Sequence, residues 1–203
     1  MKSFNEPLIL LITGTLLLAL TAIHPHDYPT WWMEVAPIFI AVPILVVTYK
    51  NYPLTPLLYR LLFLHALILM VGGHYTYAEV PLGFWMQDWF GFARNNSDKI
   101  GHLAQGFIPA MLFRELLLRS SPLKQGKLLF TLVTACCLAV SAGYELIEWA
   151  AAEMMGEGAD AFLGTQGYAW DTQSDMLMAL IGAIIAQVLL GKVQDGQLQD
   201  RVQ

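Results

Sequence analysis

Six separate stretches of this chain are long and apolar enough for lipid, and nothing else in the sequence restricts the fold as much. They run at about 7–23, 32–49, 54–73, 98–118, 128–150 and 171–190. A hydrocarbon core about 30 Å thick needs roughly 20 residues of helix, with a range of about 17–25. In lipid the backbone must satisfy its own hydrogen bonds, so windows of this length are expected to be helices. Composition agrees: 56% of the residues are hydrophobic and 13% charged, about half the charge of an average soluble domain. The expectation is an all-α protein, a polytopic transmembrane bundle of six spans forming a single domain over 1–203. The second window holds Pro37 and Pro43, which predicts a kinked helix. The segment PLGFWMQDWFGF, 81–92, is too short to span and is expected to be interfacial or re-entrant. Lys2 and the apolar run after it resemble a signal peptide. The run exceeds the usual signal core and HPHD follows it, so a retained first helix is expected.

Charge sets an orientation. Lys2, Lys50, Arg60, Arg114, Arg119, Lys124, Lys127, Lys192 and Arg201 fall on one side of a six-span layout, and Arg94 and Lys99 on the other. Basic residues favour the cytoplasmic face, so both termini are expected in the cytoplasm of a bacterial inner membrane. Segments 74–97 and 151–170 then face the periplasm. Trp31, Trp32, Trp85, Trp89, Trp149 and Trp170 all map near that outer boundary, as an interfacial belt would. Arg114 and Arg119 are expected to snorkel to the opposite headgroups. A net charge of −5 without a basic patch excludes a nucleic-acid partner, and the bilayer is the expected surrounding.

The polar residues inside these windows are the unusual part. His74 ends the third; Asp98 and His102 start the fourth; Glu145 and Glu148 end the fifth; Asp171 and Asp175 start the sixth. Asp98/His102 and Asp171/Asp175 are four apart and Glu145/Glu148 three apart, so each pair shares a helix face, with Cβ atoms about 5–6 Å apart. Antiparallel packing brings all of them to the outer end. Facing lipid, each acid would cost about 2.5–3.5 kcal/mol at the bilayer centre and less near the interface, so an interior pocket is expected. Asp98 and Asp171 could instead serve only as favourable first-turn acids. His102, Glu145 and Glu148 lie inside helices, where that reading fails.

Six acids, counting Glu79, set against Arg94 and Lys99 leave an excess of four negative charges. Crowded carboxylates take up protons or recruit a cation. Carboxylates beside imidazole suit Zn or Mn ahead of Mg. The candidate metal ligands are His102, Asp98, Glu145, Glu148, Asp175 and His74. Glu148, Glu145 and Asp175 are the candidate catalytic groups. Lys99, Arg94, Trp149 and Trp170 are candidate contacts for a lipid-linked or cell-envelope substrate. The function expected is a metal-dependent membrane enzyme. A proton- or cation-coupled transporter and a structural protein with a buried polar network are the alternatives. No GxGxxG, P-loop, CxxC or HExxH pattern occurs.

The stretches MKSFNEPL, GGHYTYAEVPLGFW, RNNSDKIGHLAQGF, YELIEW and YAWDTQSDM together resemble the YjdF-type family of bacterial inner-membrane proteins. The resemblance runs over nearly the whole chain. It implies a multi-pass inner-membrane location and supplies no mechanism. A second similarity, over the latter half, is to VanZ-like membrane proteins associated with glycopeptide resistance. It rests on Asp98-Lys99 with His102, an acid in a later helix, and Asp175 with Gly182. Ala179 stands where that pattern has Asn, and Glu148 where it has Gln. A reporter fused after residue 203 is expected to read cytoplasm and one inserted within 151–170 periplasm; an external C-terminal reporter would overturn the layout.

Overall fold

The computed structural model describes residues 5–155, 163 and 165–199. Among these there are seven α-helices, a single 3-10 turn and no strand. The helices are α1 (Glu6–Thr21), α2 (Tyr28–Thr48), α3 (Pro56–Tyr75), α4 (Pro81–Phe90), α5 (Ser97–Ser120), α6 (Lys127–Met155) and α7 (Asp171–Gln199), with the 3-10 turn at Tyr77–Glu79 between α3 and α4. Each apolar window of the sequence has its helix. Proline within the first two positions opens α1, α2, α3 and α4, where its missing N–H costs nothing. The Asp27 side chain caps α2 by accepting from the Thr30 N–H at 2.7 Å.

Four of these helices are long and apolar enough to cross a bilayer: α2, α3, α6 and α7. The expected count of six is met only this far. With 16 residues, α1 spans about 24 Å, short of the hydrocarbon core. The other exception, α5, has the length but carries Asp98, Lys99, Arg114, Glu115 and Arg119. It tolerates them because protein surrounds it: α3, α6 and α7 all pack against it.

The closest of these contacts is α5 with α7. A Cβ on Gly106 would collide with the Ala179 carbonyl, and one on Gly182 with the Leu103 carbonyl. Small residues at both positions let the two backbones touch, which is how helices associate where lipid removes the hydrophobic incentive. Around that contact Leu58, Ile108, Met111, Val133 and Ala183 form the main apolar core. Trp31, Val35, Ile38 and Met70 form a second cluster between α2 and α3. Leu16, Ile40, Val47, Leu146 and Val188 point outward and are exposed, a surface suited to acyl chains. Between α1, α2 and α3 an apolar cleft of about 610 Å³ runs past Pro37 and Pro43, with His65 in its wall.

At ten residues, α4 is about 15 Å long. Its exposed side chains include Trp85, Trp89 and Phe90. The exposed tryptophans are Trp32, Trp85, Trp89, Trp149 and Trp170; Trp31 is not among them, being 4% exposed, with its indole N–H on Thr21 Oγ1 at 3.3 Å.

The end of the bundle remote from α4 corrects another expectation. Arg114 and Arg119 do not reach out toward headgroups. Arg114 is buried and pairs with Asp195 at 2.6 Å. Arg119 pairs with Glu115 at 2.7 Å and stacks over the Tyr52 ring. The fully buried Glu115 also accepts from the Thr55 hydroxyl at 2.7 Å. Two acids meet two arginines here, and each charge has a partner.

Gly182→Leu is expected to lower stability by about 2 kcal/mol or more, the scale of overpacking a close contact, read as a fall in the thermal midpoint in detergent. Gly143, with open space around its Cα, is the control: Gly143→Ala is expected to leave the midpoint unchanged or raise it.

Candidate functional site

The N-terminal turns of α5 and α7 meet the C-terminal half of α6 at the end of the bundle that carries α4. The pieces between helices hold this junction in place. Asn95 donates from its side chain to the Val80 carbonyl at 2.9 Å and accepts the Ser97 N–H at 3.0 Å. Its backbone exchanges hydrogen bonds with the Gln166 side chain, donating at 3.1 Å and accepting at 2.7 Å. One asparagine thus ties the starts of α4 and α5 to the segment before α7. Gly83 lacks a Cβ where Asn95 and Ser97 press against α4.

Inside the junction, His102 Nε2 lies 3.3 Å from Asp98 Oδ1 and 3.9 Å from Asp175 Oδ1. On its other side, Nδ1 faces Gln105 Oε1 at 3.2 Å and Glu145 Oε1 at 3.8 Å. Side-chain oxygens therefore lie opposite both ring nitrogens. One donor atom from each of Asp98, His102 and Asp175 lies within 4.8 Å of the other two. Glu145 Oε1 is buried and accepts no hydrogen bond, although its side chain is only 6% exposed. An uncompensated buried carboxylate oxygen is costly; this one points at the imidazole edge of the group.

The cations of the site are held by the same acids. Lys99 Nζ lies 2.5 Å from Asp175 Oδ1, 2.8 Å from Asp171 Oδ1 and 3.6 Å from Asp98 Oδ2. Arg94 pairs with Asp171 Oδ1 at 2.8 Å, donates to the Thr165 carbonyl at 2.7 Å and lies over the Tyr168 ring. Asp171 is thus far more than a first-turn acid, since it takes both cations on one oxygen.

Of the residues singled out from the sequence, Asp98, His102, Glu145, Asp175, Lys99 and Arg94 come together. Glu148, half-buried on α6, is within electrostatic reach of His102 and Glu145. His74 stands apart: its Nδ1 meets the Thr21 carbonyl at 2.9 Å and its own carbonyl accepts the His26 N–H. That contact holds the ring against the end of α1, and His74 is not among the converging donors. Glu79 is exposed and leaves the acid count. Trp149 and Trp170, next in sequence to Glu148 and Asp171, are 62% and 64% exposed.

Sequence reasoning passed over Glu34, which is buried on α2 and interacts electrostatically with Asp98 and His102. A signal was there, since it is the only charged residue within α2. It also passed over two phenols, Tyr144, whose ring is 6.5 Å from that of His102, and Tyr77, buried in the 3-10 turn. Burial first, and then the facing Glu34, push the Tyr77 phenol well above its ordinary value, so it stays protonated and available as a donor.

A helical chain with four membrane-length apolar helices and charged residues collected inside is a multi-pass membrane protein. The family model described as predicted membrane protein (DUF2238) matches residues 6–196, and the chain belongs to that family. It is 54% identical over 197 residues to "Inner membrane protein YjdF" of Escherichia coli (strain K12), covering 96% of this chain and 94% of that protein. No solved structure matches it.

Asp175→Ala would leave Lys99 and His102 short of a buried partner. Breaking such a pair costs about 3–5 kcal/mol, and a clear fall in the thermal midpoint in detergent is expected. Glu79→Ala, at an exposed position, is expected to stay within about 0.5 kcal/mol of wild type.

Proposed function

We propose that this chain is a six-span protein of the bacterial inner membrane, with both termini in the cytoplasm and a divalent-cation centre near its outer face. In this reading α1 and α5 cross the membrane alongside the four longer apolar helices, α5 shielded by its neighbours. The name of the E. coli relative supports the location.

The cation reading rests on one observation: donor atoms of Asp98, His102 and Asp175 converge within 4.8 Å while the buried Glu145 Oε1 beside them accepts no hydrogen bond. A dication seated on Asp98, Asp175 and His102 Nε2 takes two carboxylates and an imidazole, a donor set suited to Zn or Mn ahead of Mg, with Glu145 facing the other ring nitrogen. It offsets the mutual repulsion of the acids at close range. Bound there, the ion supplies Lewis acidity toward a phosphoryl or carbonyl oxygen, or activates water. Glu148, half-buried one turn along α6 from Glu145, is the candidate general base. The exposed Trp149 and Trp170 and the Arg94 guanidinium suit a substrate with an apolar anchor and a polar head, which is the reason to favour a lipid-linked or cell-envelope substrate. The VanZ-like pattern at Asp98, Lys99, His102 and Asp175 points the same way.

A proton- or cation-coupled transporter is the second reading, favoured by Glu34, which extends the buried acids onto α2. Intramembrane acids of this kind also serve as relays. Elemental analysis of protein purified without chelator separates the two. About one equivalent of Zn or Mn is expected in wild type, lost in both His102→Ala and Asp98→Asn. A metal-free wild type that gains no thermal stability from added Zn or Mn would overturn the metal reading and leave the relay.

A further inference from the structure

We propose that Lys99 is the built-in counter-cation of the outer centre: without metal its ammonium occupies the acids, and metal binding moves it off Asp175 and onto Asp171. This rests on the metal reading above and adds a residue that sets the affinity of that site.

The geometry carries the inference. Lys99 Nζ is in contact with three carboxylates at once, closest to Asp175 Oδ1 at 2.5 Å. That oxygen is also the one facing His102 Nε2, so a single atom belongs both to the ammonium and to the converging donor set. A dication on Asp175 Oδ1 would sit about 2.0–2.2 Å from it, within a few ångströms of Nζ. Two like charges at that separation repel strongly in a poorly screened site. The ammonium has to leave, and its stem allows it: four methylenes turn freely where a guanidinium fork would not.

A destination is already built. Asp171 lies one helical turn before Asp175 on α7, and Lys99 contacts its Oδ1 at 2.8 Å. Moving outward shortens nothing and strands no charge. Arg94 shares Asp171 but has other holds, the Thr165 carbonyl and the Tyr168 ring. The Tyr168 ring also lies 6.0 Å from Lys99 Nζ and carries the Arg94 guanidinium that pairs with Asp171. Asp171 is therefore the refuge of the displaced lysine and stands outside the ligand set.

The two residues carry opposite expectations, which a merely structural role would not produce. The measurement is titration of purified, chelator-treated protein in detergent with Mn or Zn, followed by competition against a chelating dye and by thermal midpoint. Lys99→Met is expected to tighten the metal about tenfold, because the competing charge is gone. Its metal-free midpoint should fall and recover on adding metal. Asp171→Asn is expected to weaken the metal about tenfold, because Lys99 has nowhere to go. In the double variant that weakening should disappear, since no ammonium remains to be displaced. Binding in Lys99→Met equal to or weaker than a measurable wild type overturns the proposal while the metal reading stands. Should Lys99→Met not fold, an Asp171→Asn variant that binds metal as tightly as wild type overturns it equally. No binding in wild type or in Lys99→Met overturns the metal reading and this one with it.

Discussion

One helix in this protein is poorly suited to lipid, and the bundle is arranged around it. The helix α5 carries ionic side chains near both ends, and exposing them to hydrocarbon would cost more than its apolar middle returns. Its neighbours take them in. The approach of α7, close enough that Gly106 and Gly182 leave no room for a side chain, closes one flank; α3 and α6 cover the others. The result is a membrane protein turned inside out relative to a soluble one, with Leu, Ile and Val outward and charges along the axis.

The two ends of α5 hold their charges in different ways. At the end remote from α4, Glu115 and Asp195 meet Arg119 and Arg114, with Thr55 donating to Glu115 and Gln194 accepting from Arg114. Numbers of acids and bases match, and the network reads as a lock on helix register. At the end that carries α4, Asp98, Asp171 and Asp175 meet Arg94, Lys99 and His102, but Glu34 and Glu145 are buried nearby as well. Glu145 keeps an oxygen without a donor. That surplus is why the proposed centre is assigned to the end that carries α4.

Much of that site was legible from spacing. Asp98 with His102, and Asp171 with Asp175, are four residues apart near helix starts, and antiparallel packing of long helices leaves them one place to meet. Lys99 was legible only as a cation nearby: a residue next to Asp98 on a helix should point elsewhere, and only the reach of its side chain across to α7 brings it among three acids. His74 shows the reverse. Its position at the end of α3 matched the right depth, yet its ring turned to the Thr21 carbonyl, a choice made by the loop after α1. Glu34 was visible as the only charged residue within α2, but its depth alone gave no partner.

Hydrophobic periodicity and length, being local properties, determined from the sequence that this chain is helical, where its helices lie and that several of them suit a bilayer. The positions of glycine determined where backbones could approach. Which helix faces which neighbour was decided only in three dimensions, because each helix offers several faces of similar apolarity and lipid accepts any of them. That choice is what shields the charges of α5, pairs Arg114 and Arg119 within the protein, and gathers Asp98, Asp175 and Glu145 around the His102 ring. The physical reason is that charge in a medium of low dielectric must find its partner across space, and sequence spacing records only those partners that share a helix.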